Sequence, residues 1–207
     1  MGLMSYLFGR RDPIADWRAV ADFIDANAAF QVNRTMYEYA RARAGLAAEK
    51  LMREPDFLAA IEAARWTAFP IGVGNVAELV DSELRPRAGE RRRELLEALV
   101  AATHAAQARY PLPEGFAETF WEEARARVEA RLRLAALAEP KRAIDVPVAS
   151  FPELFALIPI HPSLRAIDFN LLLNQVRTGM ASFAQEFRRR ADVSALISAL
   201  PAPAPAP

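Results

Sequence analysis

Apolar residues at Phe169, Leu173, Val176, Met180, Phe183 and Phe187 recur in steps of four and three, the spacing of one face of an α-helix. Leu171 and Leu172 widen that face, as suits a helix packed among several neighbours. Asp168 stands where an N-cap would, and Arg188, Arg189 and Arg190 suit the negative end of the helix dipole. The stretch 168–190 is therefore expected to be the central helix, with the others burying their apolar faces against it.

The same period runs through the rest of the chain. Ile14, Trp17, Val20 and Ile24 predict a helix opened by Asp12-Pro13. Val32, Met36, Tyr39 and Arg43 predict a second over about Ala28–Ala44, with Gly45 as its stop. Glu54-Pro55 opens another through Phe57, Leu58, Ile61, Ala64 and Arg65, expected to kink or break at Pro70. Val73, Val76, Ala77 and Val80 resume the pattern up to Gly89. Leu95, Leu96, Leu99, Val100 and Thr103 place a helix over Glu90–Ala108, and Phe120, Ala124, Val128, Leu132 and Ala135 one over Glu114–Ala138. Short helices are expected at Glu153–Ile158 and Val193–Leu200, with an irregular stretch over Pro140–Phe151. No long run alternates with the period of a strand. The expected fold is all-α, a compact bundle of about seven or eight helices. It forms a single helical domain over 12–200, between a short amphipathic leader (1–11) and a flexible Pro-Ala tail (201–207).

Composition narrows the chemistry. The 26 acidic and 26 basic residues balance, which argues against a nucleic-acid binder. There is no cysteine, so thiol catalysis, disulfides and cysteine-ligated metals are excluded from this chain. No segment reaches the ~18 apolar residues of a membrane span. The leader's arginines follow its apolar residues, the reverse of a signal peptide. A cytoplasmic protein is expected, with access to the inner face of the membrane.

Four groups of residues are candidates for function. In the leader, Leu3, Met4, Leu7 and Phe8 precede Arg10 and Arg11; such a cluster can dock on the domain, enter a partner groove, or sit at an anionic membrane surface. Gly72-Val73-Gly74-Asn75-Val76-Ala77 has the letters of a dinucleotide fingerprint but follows no credible strand. It reads instead as a broken helix near Trp66, able to wall a pocket. Arg85, Arg87, Arg91, Arg92 and Arg93 could hold phosphate or anionic lipid, although Asp81, Glu83, Glu90, Glu94 and Glu97 surround them. His161, with Ser163 or Ser150 and Asp168 or Asp145, contains the residue types of a hydrolase triad, but no G-x-S-x-G elbow occurs and a capping role is the simpler reading. No metal-ligand motif is present, and no cofactor is indicated.

These observations favour a helical interaction or assembly module, peripherally associated with a membrane, over an enzyme. Its expected partner is a protein or an anionic membrane surface. The alternative is a small-molecule-binding protein or enzyme, such as a hydrolase, with a pocket between the helix break at 66–76 and the loop at 154–168. The binding residues expected on one reading or the other are Leu3, Met4, Leu7, Phe8, Arg10, Arg11, Trp66, Gly72, Gly74, Arg91, Arg92 and His161.

Overall fold

Asp16, not Asp12, starts the first helix: its carboxylate accepts the Ala19 amide at 2.7 Å and caps α1 (Trp17–Asn33). In the computed structural model, which describes residues 12–159 and 162–202 except the side chains of 47 and 162–166, Ile14 lies before that cap. It pairs in a parallel bridge with Ala191: its amide donates to the Arg190 carbonyl at 2.9 Å, and its carbonyl accepts from Asp192 at 3.0 Å. The expected start at Asp12-Pro13 is corrected accordingly. The expected boundary near Ala28 is also absent. Ala26, Ala28 and Ala29 favour helix and supply no stop, so α1 runs on through a π-turn (Arg34–Glu38) into α2 (Tyr39–Ala44). Gly45, at φ 52°, ends it as expected.

A short α3 (Ala48–Leu51) leads to α4 (Pro55–Ala88), with Pro55 at its first turn. α4 continues through Pro70 without a break, which overturns the expected interruption at 66–76. Pro70 removes one amide and leaves the Trp66 carbonyl without its usual donor, at a cost of about 3 kcal/mol in a helix interior. Burial on every side offsets that cost, since each residue from Ala68 to Asp81 is buried. The centre of the fold is therefore α4, not 168–190. It touches α1, α5 (Arg92–Gln107), α6 (Phe120–Ala136), α8 (Pro162–Arg190) and α9 (Val193–Ser198).

The helix expected at 168–190 exists within α8 and buries Leu172, Val176, Met180, Phe183 and Phe187, but it packs from one side, leaving Leu171 exposed. Its C-terminal half joins the larger core, where Phe187 meets Phe23 at 5.2 Å between ring centres. Its N-terminal half joins a smaller core with Met36, Tyr39, Ile71 and α7 (Phe151–Ala156). α6 starts at Phe120 instead of Glu114: Pro113 and Gly115, the latter at φ 80°, hold the preceding turns. Among the described residues the fold is all-α, with no strand beyond the isolated bridge and no helix long and apolar enough to cross a membrane.

At Gly72, α4 lies close against α1. A Cβ there would lie 3.1 Å from Val32 Cγ2 and 3.2 Å from the Ala28 carbonyl oxygen. Gly179, within α8, has nothing within 4 Å of the same position. Gly72→Ala should therefore destabilise by ~1–3 kcal/mol through overpacking. Gly179→Ala should stabilise by ~0.5–1 kcal/mol through helix propensity. Urea unfolding of both variants tests the pair; equal shifts would show that the crossing is looser than described.

Candidate functional site

The buried polar residues of α4, Asn75, Glu78, Asp81 and Arg85, lie on one stripe. A buried charge needs a partner, and each of these has one. Arg131 of α6 reaches across with Nε and Nη2, donating to Glu78 Oε2 at 3.0 and 2.8 Å and to Asn75 Oδ1 at 2.8 Å. Lys141, from the irregular stretch after α6, donates to Glu78 Oε1 at 2.7 Å. Ser150 donates its hydroxyl to Asn75 Oδ1 at 2.8 Å. Further along, Arg85 pairs with Asp81 and donates to the Ala135 and Ala138 carbonyls, at 3.2 and 2.5 Å, at the negative end of α6. Burial pushes the Asp81 carboxyl above its ordinary range, and the adjacent Arg85 only partly counteracts that.

Gly74 makes this arrangement fit. A Cβ at that position would lie 3.2 Å from Arg131 Cδ and 3.3 Å from Nη1. Thus Gly72 admits a helix and Gly74 admits a guanidinium. Neither offers free amides at a helix N-terminus, as a dinucleotide site would require.

Above Glu78 and Arg131 opens a cleft of about 490 Å³ between α4, α6, the 139–150 segment and α7. Its walls include Pro70, Ile71, Val128, Leu134, Leu137, Ser150 and Glu153, and Arg127 crosses one end to pair with Glu153. The alternative pocket expected between 66–76 and 154–168 shares only Pro70 and Ile71 with this cleft; no residue of 154–168 lines it, and there is no helix break. Arg127, Arg131, Lys141 and Glu78 are not among the residues singled out from sequence, and Asn75 is there only as a letter of the glycine motif. A polar pair three apart inside the apolar run Phe69–Val80, and an arginine three residues after Val128 on the buried stripe of α6, were the signals that could have found them.

The candidates named from sequence do not converge here. Trp66 packs in a ring cluster with Tyr110, Trp121 and Phe69, at 5.3, 6.0 and 6.3 Å. Arg91 donates to the carbonyls of Ile197, Leu200 and Pro201, at 2.9, 3.0 and 2.9 Å, and so fastens the end of α9. Arg92 is exposed, and Arg85 is turned inward, so the arginine run is not one patch. Leu3, Met4, Leu7, Phe8, Arg10, Arg11 and His161 lie outside the described residues, as does the tail from Pro203 onward.

The described members of the hydrolase grouping are bonded elsewhere. Ser150 serves Asn75, and Asp145 pairs with Arg142 and Arg177. Asp168 is inside α8 and does not cap it. It is buried, accepts the Tyr39 hydroxyl, and is held by Arg43, whose Nε donates at 2.7 Å. Among the described residues no group of three or more histidine, aspartate or glutamate side chains is placed to hold a metal ion.

Two stability measurements follow. Arg131→Ala leaves Glu78 buried with Lys141 alone and should cost about 3 kcal/mol, the low end for a broken buried pair; an unchanged urea midpoint would show that water reaches Glu78. For Asp168, burial raises the carboxyl, but the Tyr39 hydroxyl and the Arg43 guanidinium outweigh it and hold the group below its ordinary value of 3.8. Its contribution to stability is thus complete above that value and lost as pH falls toward the lowered one. The stability gap between the wild type and Asp168→Asn should shrink on acidification from about pH 5 to 3. A gap constant over that range would mean that the Asp168 charge does not support the fold.

The chain matches no family model, and no curated protein or solved structure is detectably similar to it.

Proposed function

We propose that this chain is a ligand-binding helical domain and that the cleft over Glu78 and Arg131 is its binding site. The observation that carries this reading is the convergence of Glu78, Arg131, Lys141 and Ser150 at one side of a concave space whose other walls are mostly apolar, closed at one end by the Arg127–Glu153 pair. A cleft of about 490 Å³ is of the size that takes a small molecule, and few, fixed polar groups in apolar walls are what orient one. Binding is the function proposed, and no reaction is assigned.

A second reading, an interaction or assembly module, is favoured by a different feature. Ile167 and Leu171, four apart on α8, are 72% and 63% exposed and form an apolar strip suited to a protein partner. On this reading the leader, with Leu3, Met4, Leu7 and Phe8 before Arg10 and Arg11, adds a peripheral contact to a partner or to the anionic inner face of a membrane.

Saturation-transfer NMR with a library of small apolar and polar compounds tests the first reading. Several compounds should compete for one site, and Ala149→Trp, at an exposed wall position, should remove them while leaving the melting temperature unchanged. Compounds that still bind the tryptophan variant would place ligand binding outside this cleft.

A further inference from the structure

We propose that the cleft takes an amphiphilic monoanion, such as a medium-chain carboxylate, with its head at Arg131 and Lys141 and its tail along Leu134 and Leu137. The inference rests on the ligand-binding reading and adds the chemical class. Among the charged residues that line the cleft, Arg127, Arg131 and Lys141 face Glu78 and Glu153, so one positive charge is left over. A single anion matches that charge, and beside the largely buried Arg131 the attraction is screened less than at an open surface.

The hydrogen bonds point the same way. Both oxygens of Glu78 are occupied, Oε1 by Lys141 and Oε2 by Arg131, so a cationic head finds no unpaired buried carboxylate there. Donors remain, however. Among the described residues Arg131 Nη1 makes no hydrogen bond but packs against Gly74, while Nε and Nη2 serve Glu78, Asn75 and the Val146 carbonyl, so Arg131 offers chiefly its charge. Lys141 uses one of its ammonium protons on Glu78 and is otherwise open toward the cleft.

The apolar part follows from α6. Leu134 and Leu137, one turn apart, are 70% and 85% exposed although they line the cleft. They continue from Arg131 toward the end of the helix. From Arg131 to Leu137 the helix rises roughly 9 Å, which an extended alkyl chain of decanoate length covers. Such a tail would remove both leucines from water, the dominant favourable term for an apolar ligand. A head without a tail, or a tail without a charge, uses only half of what the cleft presents.

Isothermal titration calorimetry on the full chain, below micellar concentrations, compares decanoate, decanol and acetate. Decanoate should bind one to one, roughly tenfold or more tighter than decanol, and acetate should give no saturable heat over the same range. Lys141→Gln and Arg127→Gln, both at partly exposed side chains, should each reduce the preference for decanoate over decanol, with folding checked by circular dichroism. Leu137→Ser should weaken both amphiphiles. Equal affinity for decanoate and decanol, or a preference that survives both charge variants, overturns the proposal. If neither amphiphile binds while library compounds still occupy the cleft, this inference fails and the ligand-binding reading stands. If no compound of any kind binds, both fall.

Discussion

The structure depends on a stripe of polar side chains in the most enclosed helix. Asn75, Glu78, Asp81 and Arg85 face one way on α4, and each is at most 5% exposed. An unpartnered charge at such a depth would cost more than the packing around it returns. α6 and the 139–150 segment must therefore sit where Arg131, Lys141, Ser150 and the Ala135 and Ala138 carbonyls can answer that stripe. The segment has no regular secondary structure to position it. Its place is set by hydrogen bonds: the Val146 carbonyl to Arg131, and the Ile144 carbonyl to Arg177 of α8 at 3.0 Å. The segment is anchored in the core as well, through the fully buried Val146, and its Lys141, Ala149 and Ser150 form one wall of the cleft.

The same helix shows what hydrophobic periodicity can and cannot read. α8 announces itself because one face is wet and the other dry, so its residues alternate at 3.6 per turn. Val176, Met180, Phe183 and Phe187 are buried as that spacing requires. α4 has no wet face between Ala68 and Asp81, so there is nothing for the pattern to alternate with. The helix with the clearest period is thus a flanking one, and the centre is the helix that lacks a period. Its proline and glycines read as interruptions for the same reason. In isolation they would weaken a helix, but inside the core tertiary packing overrides local preference, and Gly72 and Gly74 become places where neighbours come close.

Charge was misread in a parallel way. Glu78, Arg131 and Lys141 look like solvent-facing residues because most of their kind are, and only the fold brings together positions more than fifty residues apart. The arginine run from Arg85 to Arg93 looks like a surface patch, yet Arg85 and Arg91 each bind main-chain carbonyls at the ends of α6 and α9. Arginine suits that task because its planar fork can serve two or three carbonyls at once. Asp16 and Asp168 make the complementary point. Asp16 stands immediately before its helix and caps it, whereas α8 starts at Pro162, which leaves Asp168 inside the helix, where its carboxylate serves Tyr39 and Arg43 instead.

The bridge between Ile14 and Ala191 bears on the order in which the chain can be completed. Ile14 is fully buried, and its two main-chain hydrogen bonds are to Arg190 and Asp192, which are made only after α8. While α1 through α7 emerge from a ribosome, the first described residues have nowhere to dock. Closing that contact spans almost the whole chain, and its entropic cost is met only after α8 has packed. The segment before α1 is thus fixed by residues that follow α8, and a chain interrupted before Asp192 would lack one of the two hydrogen bonds that seat Ile14.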